Sequence, residues 1–186
     1  MSICRRAIEL AGRFWEANIL YIVVHEASHC IMAITGGGNV NWVNINPLGT
    51  GGMTNFYIQG PVILDASVYA SGMAVTSLGA LIMARKRPLL SLIFAGRTIE
   101  CSLRLSTGSD ITMIHSLIGN WSWLVCAAIV ISNIVAAKLA IDHSRVLRKI
   151  EGREHGYLNV RPNISYNISG VNKVARDRIY STEIKV

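Results

Sequence analysis

The chain has 186 residues, a length that allows one domain of ordinary size with a sizeable core. A hydrophobic content of 51% against 16% charged residues is high for a soluble protein and raises a membrane or oligomer question. The net charge is +7, and from His143 onward nine Lys or Arg stand against four Asp or Glu, so the positive excess reads as a solvated basic tail and predicts no specific nucleic-acid partner.

Residues 2–17 alternate charged and apolar positions at helical spacing, which predicts an amphipathic helix leading towards an apolar run, Ile19 to Thr35. Within that run Ile22, Val23, Ala27, Cys30, Ile31 and Ile34 recur at helical spacing, and Gly36, Gly37 and Gly38 stop it. Arg5, Arg6, Glu9, Arg13 and Glu16 interrupt the early apolar residues, so no secretory signal is read. Cys4, Cys30, Cys101 and Cys126 are scattered, with no C-x-x-C pair, and suggest a reducing, cytoplasmic setting.

The run contains His25-Glu26-Ala27-Ser28-His29, an H-E-x-x-H. Residues four apart share a helix face, so His25 and His29 can present two imidazole nitrogens to one ion. Glu26, beside the first of them, is a natural general base for a metal-activated water.

After the glycines, Val40 to Ile45 and Met53 to Ile58 predict two strands, with Pro47, Gly49, Gly51 and Gly52 in the turn between them. Pro61 opens a helical region. Asp65 to Ala84, rich in Ala, Ser, Gly and Met, reads as a helix packed closely on all sides. Arg85 to Pro88 breaks it, and Leu89 to Leu103 resumes as a second helix. Ser106 to Asp110 is a turn, with Ser109 or Asp110 placed to cap the next helix. Ile111 to Ala137 carries no formal charge and is long enough for a bilayer, but polar residues and a break at Gly119-Asn120 favour a buried core helix or an oligomer interface. The helix turns charged from Lys138. Residues 1–155 form one expected domain, and 156–186 a polar, basic, loosely ordered tail.

A catalytic zinc takes three protein ligands and a water, so a third is needed from Asp65, Glu100, Asp110, His115, Asp142, His143 or His155. Composition and spacing leave that choice open. The motif run VVHEASHCIMAITGG resembles the motif helix of the FtsH-type zinc metalloproteases. WVNINPLGTGGMT is similar to that family's strand and turn, FAGRTIECSLRL to its Gly-Gly-Arg-x-x-Glu helix, and STGSDITMI to its Thr-Gly-x-x-x-Asp segment. Ser28 and Ala95 stand where the family has glycine, and no G-x-x-x-x-G-K-[ST] ATPase motif occurs.

The resemblance implies an α+β, mostly α-helical, zincin-like peptidase domain with a small β-hairpin after the H-E-x-x-H helix. It implies one Zn²⁺ per chain on His25, His29 and Asp110, with Glu100 supporting the ligands from behind. It also implies an extended substrate added along Val43, Asn44, Ile45 and Asn46 by β-augmentation. The expected activity is zinc-dependent endopeptidase cleavage of peptide or unfolded substrates, alone, as a homo-oligomer or beside a separate unfoldase. An intramembrane site-2-type zinc protease and a non-catalytic binding protein are the competing expectations.

Overall fold

A computed structural model describes residues 3–106 and 108–158, with side chains described as far as Leu147. The expected amphipathic and motif helices are one element, α1 (Ile3–Thr35). Nothing between them breaks a helix, because the stretch holds neither Pro nor a capping Gly. The break comes where expected, at Gly37, whose φ of 80° places it in the left-handed region that ends helices.

The two strands, β1 (Asn39–Ile45) and β2 (Gly52–Tyr57), pair antiparallel with Val43 opposite Thr54 and a bulge between Val40 and Trp42. The turn is closed by the Gly51 carbonyl accepting the Asn46 N–H at 2.9 Å and by Gly49 at φ 74°. This hairpin is the whole sheet among the described residues, so the fold is mostly helical with a small β element. Two glycines mark how it lies along α1. A Cβ on Gly52 would meet Glu26 Cγ at 2.6 Å, and one on Gly49 would meet Asn18 Cβ at 3.5 Å. The turn therefore points back towards the N-terminal half of α1.

Helices α2 (Val62–Met83) and α3 (Pro88–Leu103) form an antiparallel pair about Arg85–Arg87. Small hydroxyls join them: Ser91 Oγ donates to the Ala80 carbonyl at 2.7 Å, and the Thr98 hydroxyl to Thr76 Oγ1 at 2.9 Å. α4 (Asp110–Ile118) ends at Gly119, whose φ of 60° starts a 3₁₀ turn (Gly119–Trp121) before α5 (Ser122–Leu158). α5 runs parallel to α2. Ile129 packs in one cluster with Met73, Asn133 Nδ2 donates to Ser77 Oγ at 2.7 Å, and Ala136 shares a cluster with Ala80. The chain divides into two units, residues 1–149 and 150–186. Of the expected tail, residues 159–186 lie outside the described residues.

The distribution of polarity is inverted relative to a water-soluble bundle. On α1 the face turned inward carries Asn18, His25, Glu26, Ser28 and His29, while Leu20, Val23, Ile31 and Ile34 face out. On α2, Gly72, Thr76, Ser77 and Ala80 are buried, while Val75, Leu78 and Ile82 are exposed. α5 buries Ser122, Cys126, Asn133, Ala136 and Ala140 and exposes Leu124, Ile131, Ile134 and Val135. Three helical stretches, Ile3–Thr35, Val62–Met83 and Asp110–Leu147, are long and apolar enough to cross a membrane. The last contains the uncharged run for which the sequence favoured a core helix or an oligomer interface. Small side chains inside and large aliphatic ones outside are what helix packing in lipid selects.

Candidate metal centre

The buried face of α1 turns His25 and His29 inward one helical turn apart, with their rings 4.8 Å between centroids and nearly perpendicular. Asp110, the first residue of α4, meets them. Its Oδ2 lies 2.8 Å from His25 Nε2 and 3.5 Å from His29 Nε2. A tetrahedral ion with bonds of about 2.0–2.1 Å needs ligand atoms roughly 3.3 Å apart, between those two distances. The ligand atoms of His25, His29 and Asp110 form the one group of three or more such residues among the described ones that could hold a metal.

The second nitrogens of the two histidines are treated differently. His29 Nδ1 lies 2.7 Å from the Val68 carbonyl, which can only accept, so Nδ1 carries the proton and Nε2 presents a lone pair to the site. His25 Nδ1 is buried with no partner among the described residues, and the Tyr21 ring stacks on that imidazole at 5.6 Å. α2 covers the pair from the other side through Gly72. A Cβ there would lie 2.7 Å from His29 Nε2 and 2.8 Å from His25 Nε2, so only glycine keeps open the space beside the two Nε2 atoms. That open space, the fixed tautomer of His29 and the carboxylate opposite fit a metal ion.

Glu26 is buried, lines the same cleft outside the group of three ligands, and contacts the hairpin. The Thr54 hydroxyl donates to its Oε2 at 2.7 Å, and Gly52 allows β2 to approach its side chain. Ser109, not Asp110, takes the cap position of α4, and it makes no capping bond: its hydroxyl donates to the Arg104 carbonyl at 2.6 Å. The Asp110 carboxylate is therefore free of a capping role and engages the histidines. Asp65, Asp142 and His143 join no such group, and His115 Nδ1 bonds Ser122 Oγ instead.

Two expectations shift. Glu100 lies on the same cleft, but it pairs with Arg97, 2.5 Å away, and not with a ligand. Arg97 in turn reaches the Thr50 carbonyl and stands over the Tyr21 ring at 5.9 Å. Val43, Asn44, Ile45 and Asn46 do not line the cleft at all. Its hairpin wall is the turn and β2, Thr50 to Thr54 with Phe56. β2 lies against α1 at Glu26, and Ile45 of β1 packs on the core beside Tyr21 and Ile22.

The cleft has a volume of about 290 Å³, with Tyr69, Arg97 and Arg104 completing its wall. Gly72 and Thr54 were not singled out in the sequence, and Gly52 only as a turn residue. Their importance depends on which helix and strand pack over the motif, and no local pattern announces that. No protein-family model matches the chain, and comparison with curated proteins and with solved structures gave no match either.

Proposed function

We propose that the chain is a zinc-dependent metalloendopeptidase. The reading rests on the convergence of His25 Nε2, His29 Nε2 and Asp110 Oδ2 beside the buried Glu26. When bound, zinc supplies a Lewis acid that acidifies water and polarises a carbonyl. His25, His29 and Asp110 would hold the ion, and Gly72 leaves the room for it. Glu26 takes a proton at its carboxylate, which Thr54 orients through its hydroxyl. An extended peptide lies along the cleft beside β2, and Arg97 and Arg104 offer donors at its wall. Membership of the FtsH-type family, and a zincin-like peptidase fold, belong to this proposal and rest on the order of the four sequence segments.

The test is metal content together with turnover. The purified protein should carry one zinc per chain, and Glu26→Gln should keep that zinc while losing roughly 10²–10⁴ in peptide turnover. Absence of stoichiometric zinc under metal-retaining conditions overturns the reading, and zinc loss in Glu26→Gln overturns the role of Glu26.

The apolar outer faces of α1, α2 and α5 bear on the setting. They favour the membrane over the cytoplasm, and with it the site-2-type alternative in which the same residues work inside a bilayer. Arg13 and Glu16 do not shorten α1 too far, since the nineteen residues from Ala17 to Thr35 rise about 28 Å, close to the thickness of a hydrocarbon core.

A further inference from the structure

We propose that the bundle presents a basic collar to anionic lipid headgroups on the cytoplasmic face of the membrane, with the N-terminal end of α1, the α2–α3 loop and the end of the α5 span on that one side. This rests on the membrane setting proposed above and adds its direction.

The collar arises from the helix directions. α1 and α2 are joined by the hairpin and run antiparallel, so the start of α1 and the end of α2 share one end of the bundle. Arg13 and Glu16 line one surface groove together with Arg87 and Pro88. α5 parallels α2, with Asn133 beside Ser77 and Ala136 clustered with Ala80, so its next charged residues, Lys138, Asp142 and Arg145, emerge at that same end. Arg5, Arg6, Arg13, Arg85, Lys86, Arg87, Lys138 and Arg145 therefore collect there. Among the described side chains the remaining basic groups, Arg97 and Arg104, lie on the cleft. The opposite end, formed by Thr35–Gly38, Gly60–Asp65 and Gly119–Trp123, carries no Lys or Arg and one acidic residue, Asp65.

Exposed aromatic residues mark both levels, with Trp42 on the hairpin between them. Phe14 and Trp15 are exposed beside the basic end, and Tyr57, Trp121 and Trp123 beside the opposite one. From Trp15 to Thr35 α1 rises about 30 Å, and from Val62 to Ala84 α2 rises about 33 Å, which match one hydrocarbon core. Aromatic girdles with Lys and Arg concentrated beyond one of them set orientation by the positive-inside rule. Each basic residue near an anionic surface contributes about fivefold in affinity. Against the eight stand Glu9, Glu16 and Asp142, with Glu9 paired to Arg5 and Asp142 to Arg145, so this end keeps an excess of five positive charges.

The hairpin is compatible with this placement only if it meets water, because strand edges do not survive against lipid. Asn39, Asn41, Asn44, Asn46, Thr54 and Asn55 line it among the exposed Trp42, Val43, Leu48, Met53 and Tyr57, and Asn41 Nδ2 donates to Asn55 Oδ1 at 2.6 Å. It stands on the side of the cleft, where hydrolysis requires water.

The full chain is expressed in a bacterial host, and two measurements are made. Pelleting that resists salt and alkali and yields only to detergent is expected; recovery as a detergent-free soluble oligomer would mean that copies of the chain cover the apolar faces, and the membrane setting itself fails. Sidedness is then read with a membrane-impermeant maleimide on Cys4, which is exposed near the N-terminal end of α1. Cys30 and Cys101 are partly buried, Cys126 is buried, and Cys4→Ser supplies the background. Cys4 should react in inverted vesicles and be protected in intact spheroplasts, and Gln59→Cys in the Cys4→Ser background should show the opposite pattern. The reverse assignment, in protein that still resists alkali, overturns the orientation and leaves the membrane setting standing. Purified protein should also float with vesicles containing anionic phosphatidylglycerol in preference to pure phosphatidylcholine, and R85Q/K86Q/R87Q should erode that preference. Equal recovery with both lipids overturns the collar.

Discussion

Asp110 decides whether the site is a metal centre or a pair of buried histidines. An anionic ligand removed by Asp110→Asn should release most of the zinc, whereas a mere helix cap would tolerate Asn with almost no change. Since Ser109 holds the cap position without a capping bond, metal loss is the expected outcome of a zinc titration. Glu100→Gln is expected to spare the metal, because Glu100 pairs with Arg97 and not with a ligand, in place of the roughly 10–100-fold loss that support of a ligand would imply. Gly72→Ala supplies a different test. Its methyl would sit 2.7 Å from His29 Nε2, so zinc affinity should fall sharply while the helical circular dichroism is kept; unchanged affinity would mean α2 does not bound the site. At this scale the motif was readable, because i and i+4 on a helix share a face whatever surrounds them. Asp110, which lies 85 residues from His25, could be named only through the order of segments in a resemblance. Gly72 was hidden because its role exists only when α2 packs on α1.

Among the elements, the hairpin departs most from its expectation. Strand existence, turn position and order were readable from Val and Ile alternation around a Pro-Gly turn. Which strand faces the cleft was not, since both alternate and the choice depends on how the hairpin folds back along α1. Glycine at 52 decides it by letting β2 approach Glu26. Thr54→Val should therefore lower turnover roughly tenfold or more, the range for a hydrogen bond to a charged group, while zinc stays bound. Thr54→Ser should restore it. Val43→Ala, at a residue outside the cleft wall, should leave KM and kcat near the parent values. A loss confined to Val43→Ala in steady-state kinetics would return the substrate to β1. Similarly, α1 was expected as two stretches because its charge pattern changes near residue 17, yet charge alone does not interrupt a helix when no Pro or Gly intervenes.

For the whole molecule, hydrophobicity and helical period were readable, but the direction of each helix's apolar face was not. A sequence pattern gives the stripe and leaves open whether protein or lipid lies against it. In α5 the stripe turned inward is Ser122, Cys126, Ile129, Asn133, Ala136 and Ala140, and the larger aliphatic residues look out. The expected core helix thus contributes small and polar residues to the core. Ile131 tests this most directly, since it is 60% exposed and lies near the middle of the apolar part of α5. If water surrounds the bundle, Ile131→Lys places a charge on a solvated surface, where substitutions usually stay within about 0.5 kcal/mol, and solubility improves. If copies of the chain cover that face, the same lysine should dissociate an oligomer into soluble monomers. In a bilayer, Lys near a helix centre costs about 2.5–3.5 kcal/mol of insertion free energy. The expected result is a marked fall in alkali-resistant membrane protein for Ile131→Lys, with Ile131→Leu behaving like the parent. Equal membrane recovery for the two variants would remove α5 from the lipid.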